Sequence, residues 1–114
     1  MLTLSHSLRV LLAVEPVDMR KSFDGLWAVA RDHLGEDPTR GTLFLFANKR
    51  LNRLKALYWD GSGVCLFSKR LEKGRFSWPR AGHDKKVRLS PEAATLLLGG
   101  IDLKQGCRKA WYEA

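Results

Sequence analysis

Twelve lysines and arginines lie between Asn48 and Arg88, and only Asp60, Glu72 and Asp84 oppose them. That stretch therefore carries +9 (12 less 3), while the whole chain carries +8. Leu54, Leu57, Tyr58, Trp59, Leu66, Phe67, Phe76 and Trp78 are interleaved with the cations, which marks folded structure and not a solvated tail. A folded surface with charge of one sign repels itself unless a polyanion sits near it, and nucleic acid is the commonest such partner. Arginine suits that role because its planar fork grips phosphate oxygens in pairs.

Other chemistries fit less well. Metal-dependent phosphodiester cleavage needs clustered carboxylates, and the candidates are Asp18, Asp24, Asp60 and Glu72. Asp60 precedes Gly61 and reads as a turn residue, Asp18 reads as a helix cap, and Glu72 sits among Arg70, Lys73 and Arg75 as a counter-ion. Tyr58 and Tyr112 lack the surrounding histidines and arginines of a strand-transfer site. His6, His33, His83, Cys65 and Cys107 have no zinc spacing, and no phosphate loop or dinucleotide fingerprint is present. No metal or cofactor is expected. The basic residues also have a bland reading, as charges that keep sheet edges from pairing with other chains. One or two lysines suffice for that, and here arginines run through consecutive elements.

The elements that would carry these residues follow from the pattern. With 114 residues, 45% apolar and 28% charged, the chain is expected to fold as one domain over residues 1–114, with 104–114 as a C-terminal tail. No run of apolar residues is long enough to span a membrane, and two cysteines without CxxC spacing suit reduced thiols in a reducing cytoplasm. Leu8–Val14 reads as a strand closed by Glu15-Pro16. Asp18 or Ser22 caps a long helix reaching about His33, with Gly35 as its stop. Met19, Phe23, Leu26, Trp27, Ala30 and Leu34 form its apolar stripe, and Gly25 implies close packing against a strand. Thr42–Ala47 is a strand covered on both faces, and Asn48–Arg53 links it to the strand Leu54–Asp60. Asp60-Gly61-Ser62-Gly63 turns the chain into the strand Val64–Leu71. Arg75–Trp78 and Lys86–Leu89 read as short strands around a polar loop, Arg80–Lys86. Ser90-Pro91 starts a shorter helix that stops at Gly99-Gly100. The expected fold is α+β, with a mostly antiparallel sheet.

In the central hairpin, opposed positions sum to 123. Trp59 then faces Val64, Leu57 faces Leu66, Lys55 faces Ser68 and Arg53 faces Arg70. Two opposed arginines cost up to about 1 kcal/mol unless an anion lies between them, and Glu72 or a phosphate could serve. Arg20 and Lys21 near the positive end of the first helix call for an anion too, or for pairing with Asp18 or Asp24. Arg50, Arg53, Lys55, Lys69, Arg70, Lys73 and Arg75 are the candidate phosphate contacts, with Lys49 beside them and Arg20 and Lys21 as additions.

Several blocks match a known family. They are Asp18-Met19-Arg20-Lys21 with Gly25-Leu26, Leu57-Tyr58-Trp59-Asp60-Gly61-Ser62-Gly63, and Lys69-Arg70-Leu71-Glu72-Lys73-Gly74-Arg75-Phe76 followed by Trp78-Pro79. From about Leu8 to Leu103 the chain resembles the small second-reading-frame accessory protein (TnpB) of bacterial insertion-sequence family sixty-six. The resemblance implies a non-catalytic protein encoded beside a separate, larger transposase that carries the DDE residues. It implies DNA and the other proteins of the element as partners. Two alternatives stand beside DNA binding: an adaptor for an acidic surface of the transposase, and a metal nuclease.

Overall fold

The computed structural model describes residues 8–79 and 84–99. Five strands form one sheet: β1 (Arg9–Ala13), β2 (Thr42–Ala47), β3 (Arg53–Trp59), β4 (Val64–Arg70) and β5 (Lys86–Leu89), in the order β4-β3-β2-β1-β5. Only β1 and β2 run parallel, because the helical connection between them returns the chain to the same sheet end. The other three pairings are antiparallel. Every residue of β2 is buried, as its unbroken apolar sequence requires of a central strand covered on both faces.

Alternation along the strands feeds two cores. On one face Val10, Leu12, Leu43, Leu45, Leu54 and Ala56 pack with Phe76, Ala94 and Leu97. On the other, Leu11, Ala13, Phe44, Phe46 and Leu57 pack with Leu26, Ala30 and Leu34. The second face lies under a helical segment that begins as α1 (Phe23–Ala28) and continues as a wider π-type turn over Val29–His33. In a turn wider than 3.6 residues, positions four apart stay over one line, so Leu26, Ala30 and Leu34 all reach the sheet. Gly35, at φ +68°, ends the segment as expected.

The helix after the first strand is shorter than its sequence suggests, 11 residues from Phe23 to His33. Asp18 does not cap it. Its carboxylate instead accepts from the Arg20 N–H at 2.9 Å and closes a separate turn, and the Ser22 hydroxyl makes no cap bond either. Helix propagation therefore starts one turn later, and Phe23 is left 47% exposed instead of joining the stripe. Gly25 is also explained differently. A Cβ there would meet the Lys21 Cβ at 3.1 Å, so the glycine makes room for the incoming chain and not for a strand.

The C-terminal helix α2 (Pro91–Leu98) begins as its sequence predicts, with the Ser90 Oγ accepting from the Ala93 N–H at 3.1 Å and proline in the first turn. Arg75–Trp78 is not a strand. It crosses the sheet end irregularly, with Phe76 buried and the Trp78 indole N–H donating to the Ala13 carbonyl at 2.9 Å. Expectations for Arg80–His83, Gly100 and the tail, including Cys107 and Tyr112, fall outside the described residues.

A half-buried carboxylate ties the far edge of the sheet to the helical segment. Glu36, only 13% exposed, accepts from Arg9 Nη1 at 2.7 Å and from Lys86 Nζ, which also donates to the Leu34 carbonyl at 2.8 Å. The Lys86 ammonium, followed by the Arg9 guanidinium, holds the Glu36 carboxyl below the usual range against the opposing pull of burial. A depressed carboxyl stabilises the fold above its unfolded value and loses that contribution as pH falls through the folded value. Glu36→Gln is expected to cost about 1 kcal/mol at pH 7, since both cations stay partly solvated. The gap to the unaltered protein should close as pH drops below the ordinary glutamate range. Urea unfolding of both proteins from pH 7 to 3 checks this, and a gap that persists at pH 3 would contradict it.

Candidate nucleic-acid interface

The hairpin register is the expected one, with Arg53 opposite Arg70 and Trp59 opposite Val64. The turn is held by Asp60, whose Oδ1 accepts from the N–H groups of Ser62 at 2.9 Å and Gly63 at 3.0 Å. Those donors keep its carboxyl at about 2. Asp60 thus stands at one end of β4 and Glu72 beyond the other, a strand of seven residues apart, so the two do not share a metal-sized space. Among the described residues no group of three His, Cys, Asp or Glu is placed to hold a metal ion.

At the open end of the hairpin the basic residues gather. The loop between β2 and β3 is built around Asn48: its Oδ1 accepts from the backbone N–H of Asn52 at 3.1 Å and of Arg53 at 3.0 Å, while its Nδ2 donates to Asn52 Oδ1 at 2.7 Å. Leu51 takes φ +59°, a conformation that costs a non-glycine residue roughly 1–2 kcal/mol and persists because these bonds fix the loop. The segment leaving β4 is bound alongside. Leu71 N–H donates to the Asn52 carbonyl at 2.9 Å, and Phe76 N–H to the Leu51 carbonyl at 2.7 Å. Two loops are thereby locked side by side, and they carry Lys49 and Arg50 on one, Lys73 and Arg75 on the other, with Arg53 and Arg70 at the strand ends between them. Glu72 is the one acidic residue among them, 3.8 Å from Arg70 and 87% exposed. That contact is too long and too solvated to neutralise two arginines.

Other expected contacts are occupied within the protein. Lys55 Nζ donates at 2.7 Å to the carbonyls of both Met19 and Lys21, fastening the chain before α1 to the sheet. Lys69 Nζ donates to the Leu98 carbonyl at 2.5 Å, at the negative end of α2. Arg20 lies on Asp18 through its Nε and Nη2, at 2.9 and 2.7 Å, and with its backbone N–H holds that carboxyl at about 2. So the anion required by the basic first turn is Asp18. Lys21 makes no such pair, and its backbone is drawn beside Lys55, two residues along β3 and on the same face as Arg53. The sequence pattern alone missed Asn48, which sets the geometry of the cationic loop. Its signal was an Asn at each end of a Lys-Arg-Leu turn.

These elements define a small α+β protein whose sheet ends on one side in a cationic rim. The chain belongs to the IS66 Orf2 like protein family, whose sequence model matches residues 8–108. It is 42% identical over 105 residues to the uncharacterized protein y4jC of Sinorhizobium fredii (strain NBRC 101917 / NGR234), covering 92% of this chain and 89% of that one. It is 39% identical over 102 residues to the uncharacterized protein y4hO of the same strain, covering 90% and 88%. No solved structure matches it. Membership in this family associates the chain with transposition as an accessory protein. No helix among the described residues is long and apolar enough to cross a membrane.

Proposed function

We propose that this protein is a non-catalytic accessory factor of transposition that binds DNA phosphates through the rim formed by Lys49, Arg50, Arg53, Arg70, Lys73 and Arg75, with Lys21 beside it. The reading rests above all on Arg53 facing Arg70 across the ladder, at the junction of two interlocked basic loops. Like charges in register oppose folding unless they serve an anion, and among the described residues the acidic partner beside them is a loosely held, solvated Glu72. Lys55, Lys69 and Arg20 take a supporting role here, since each already bonds a protein acceptor. Phosphate contacts position a protein and add affinity without reading sequence, so any preference for the ends of an element comes from its transposase or another partner protein.

Titration with duplex DNA over a range of salt tests this directly. With about five phosphates neutralised, log K should fall with log salt at a slope near −4 to −5. A flat dependence, or no binding at low salt, would favour an adaptor that docks on an acidic protein surface.

A further inference from the structure

Beside the cationic rim, at the carboxyl ends of the two parallel strands β1 and β2, the surface opens into a cleft of about 220 Å³. The walls are mostly apolar: Val14 and Pro16 where the chain leaves β1, Ala47 at the end of β2, Leu51 from the strained loop, and the segment Trp78-Pro79, with Asn48 the polar residue beside them. Trp78 is half-buried and its indole N–H is committed to Ala13, so the ring is held in one orientation as a flat wall. The rim is cationic. Lys49 lines the cleft and Arg50 follows it, while on the opposite side the Val14 N–H donates to the carbonyl of the exposed Lys85 at 3.0 Å. Glu15, the acidic neighbour of Pro16, is directed to His33 at 3.7 Å.

We infer that this cleft receives one unpaired base of single-stranded DNA, stacked along Trp78 and Leu51, while Lys49 and Arg50 hold the adjoining phosphates. The inference rests on the DNA-binding reading above and adds a strand preference to it. A mostly apolar cleft of about 220 Å³ beside Lys49 and Arg50, which pair with no carboxylate among the described residues, matches a nucleotide, which is flat and apolar on its base faces and anionic on either side. The positive φ of Leu51 supports the same point. A glycine or asparagine would form this loop with less strain, and a leucine stands here with its side chain lining the cleft.

The test uses three ligands of about 12 nucleotides, a length within the span one small domain covers: oligothymidylate, a chain of abasic sugar-phosphates, and a duplex. Oligothymidylate should bind about tenfold more tightly than the abasic chain of equal charge, within what the stacking of one base contributes. Leu51→Gly, which relieves the strained φ and removes one wall, should bring that ratio close to one while the thermal midpoint is retained. Equal affinity of the unaltered protein for the two single strands would overturn the base site and leave the phosphate rim intact. That result would also follow if the cleft accepts an apolar side chain of a protein. No binding of any of the three would overturn the DNA reading itself. A base-dependent gain that Leu51→Gly does not diminish, in a folded variant, would move the base away from this cleft. Should that variant fail to fold, the abasic comparison decides alone.

Discussion

Arg53→Ala/Arg70→Ala lowers the affinity for duplex DNA by about a hundredfold at low salt, because each arginine contributes a charge-assisted bond of roughly 1.5 kcal/mol or more. The salt dependence should change with it. Removing two phosphate contacts takes about two units off the slope, from between −4 and −5 to between −2 and −3. The same substitution should leave the fold intact and stabilise it by a few tenths to about 1 kcal/mol, since it removes a like-charged pair from a directly opposed position. Opposite signs for binding and stability separate a ligand contact from a structural one. The measurements are fluorescence anisotropy at several salt concentrations and urea unfolding of the same samples. A variant that unfolds, or one that keeps the full slope, removes Arg53 and Arg70 from the interface.

The paired arginines could be placed from sequence because a hairpin register follows from its turn. Asp60-Gly61-Ser62-Gly63 fixes which residues face one another, and alternation then assigns every side chain to a face. The cap at Ser90-Pro91 was readable for the same reason: its signal is contained within a few adjacent residues. Features that depend on residues distant in sequence were not. Nothing local to Lys55 shows that its ammonium ends on carbonyls 34 and 36 positions away, or that Lys69 reaches Leu98. Charge density alone therefore does not separate cations bonded inside the protein from the rest. Of the cations from Lys49 to Arg88, Lys55, Lys69 and Lys86 are used inside the fold and Arg88 lies on the far edge strand, whereas Lys49, Arg50, Arg53, Arg70, Lys73 and Arg75 gather at one end. The length of the first helix was misjudged on similar grounds. Periodicity from Met19 onward is helical, but Asp18 satisfies Arg20 and closes a turn before the helix can start.

Lys55 offers the sharpest contrast with Arg53, its neighbour two positions away on the same face of β3. Both are basic, both belong to the dense stretch, and only their partners differ. Lys55→Met keeps most of the stem, so packing against the sheet survives and the ammonium alone is lost. The carbonyls of Met19 and Lys21 then lose a charged donor at a part-buried site, which costs about 2 kcal/mol. For a domain of this size that corresponds to a fall of about 8 °C in the thermal midpoint. At temperatures where the variant remains folded, its DNA salt slope should match that of the unaltered protein, because no phosphate contact has been removed. Lys55→Met with a normal midpoint and a slope reduced by about one unit would reverse the assignment, placing this ammonium on DNA and leaving the approach to α1 to be held by packing alone.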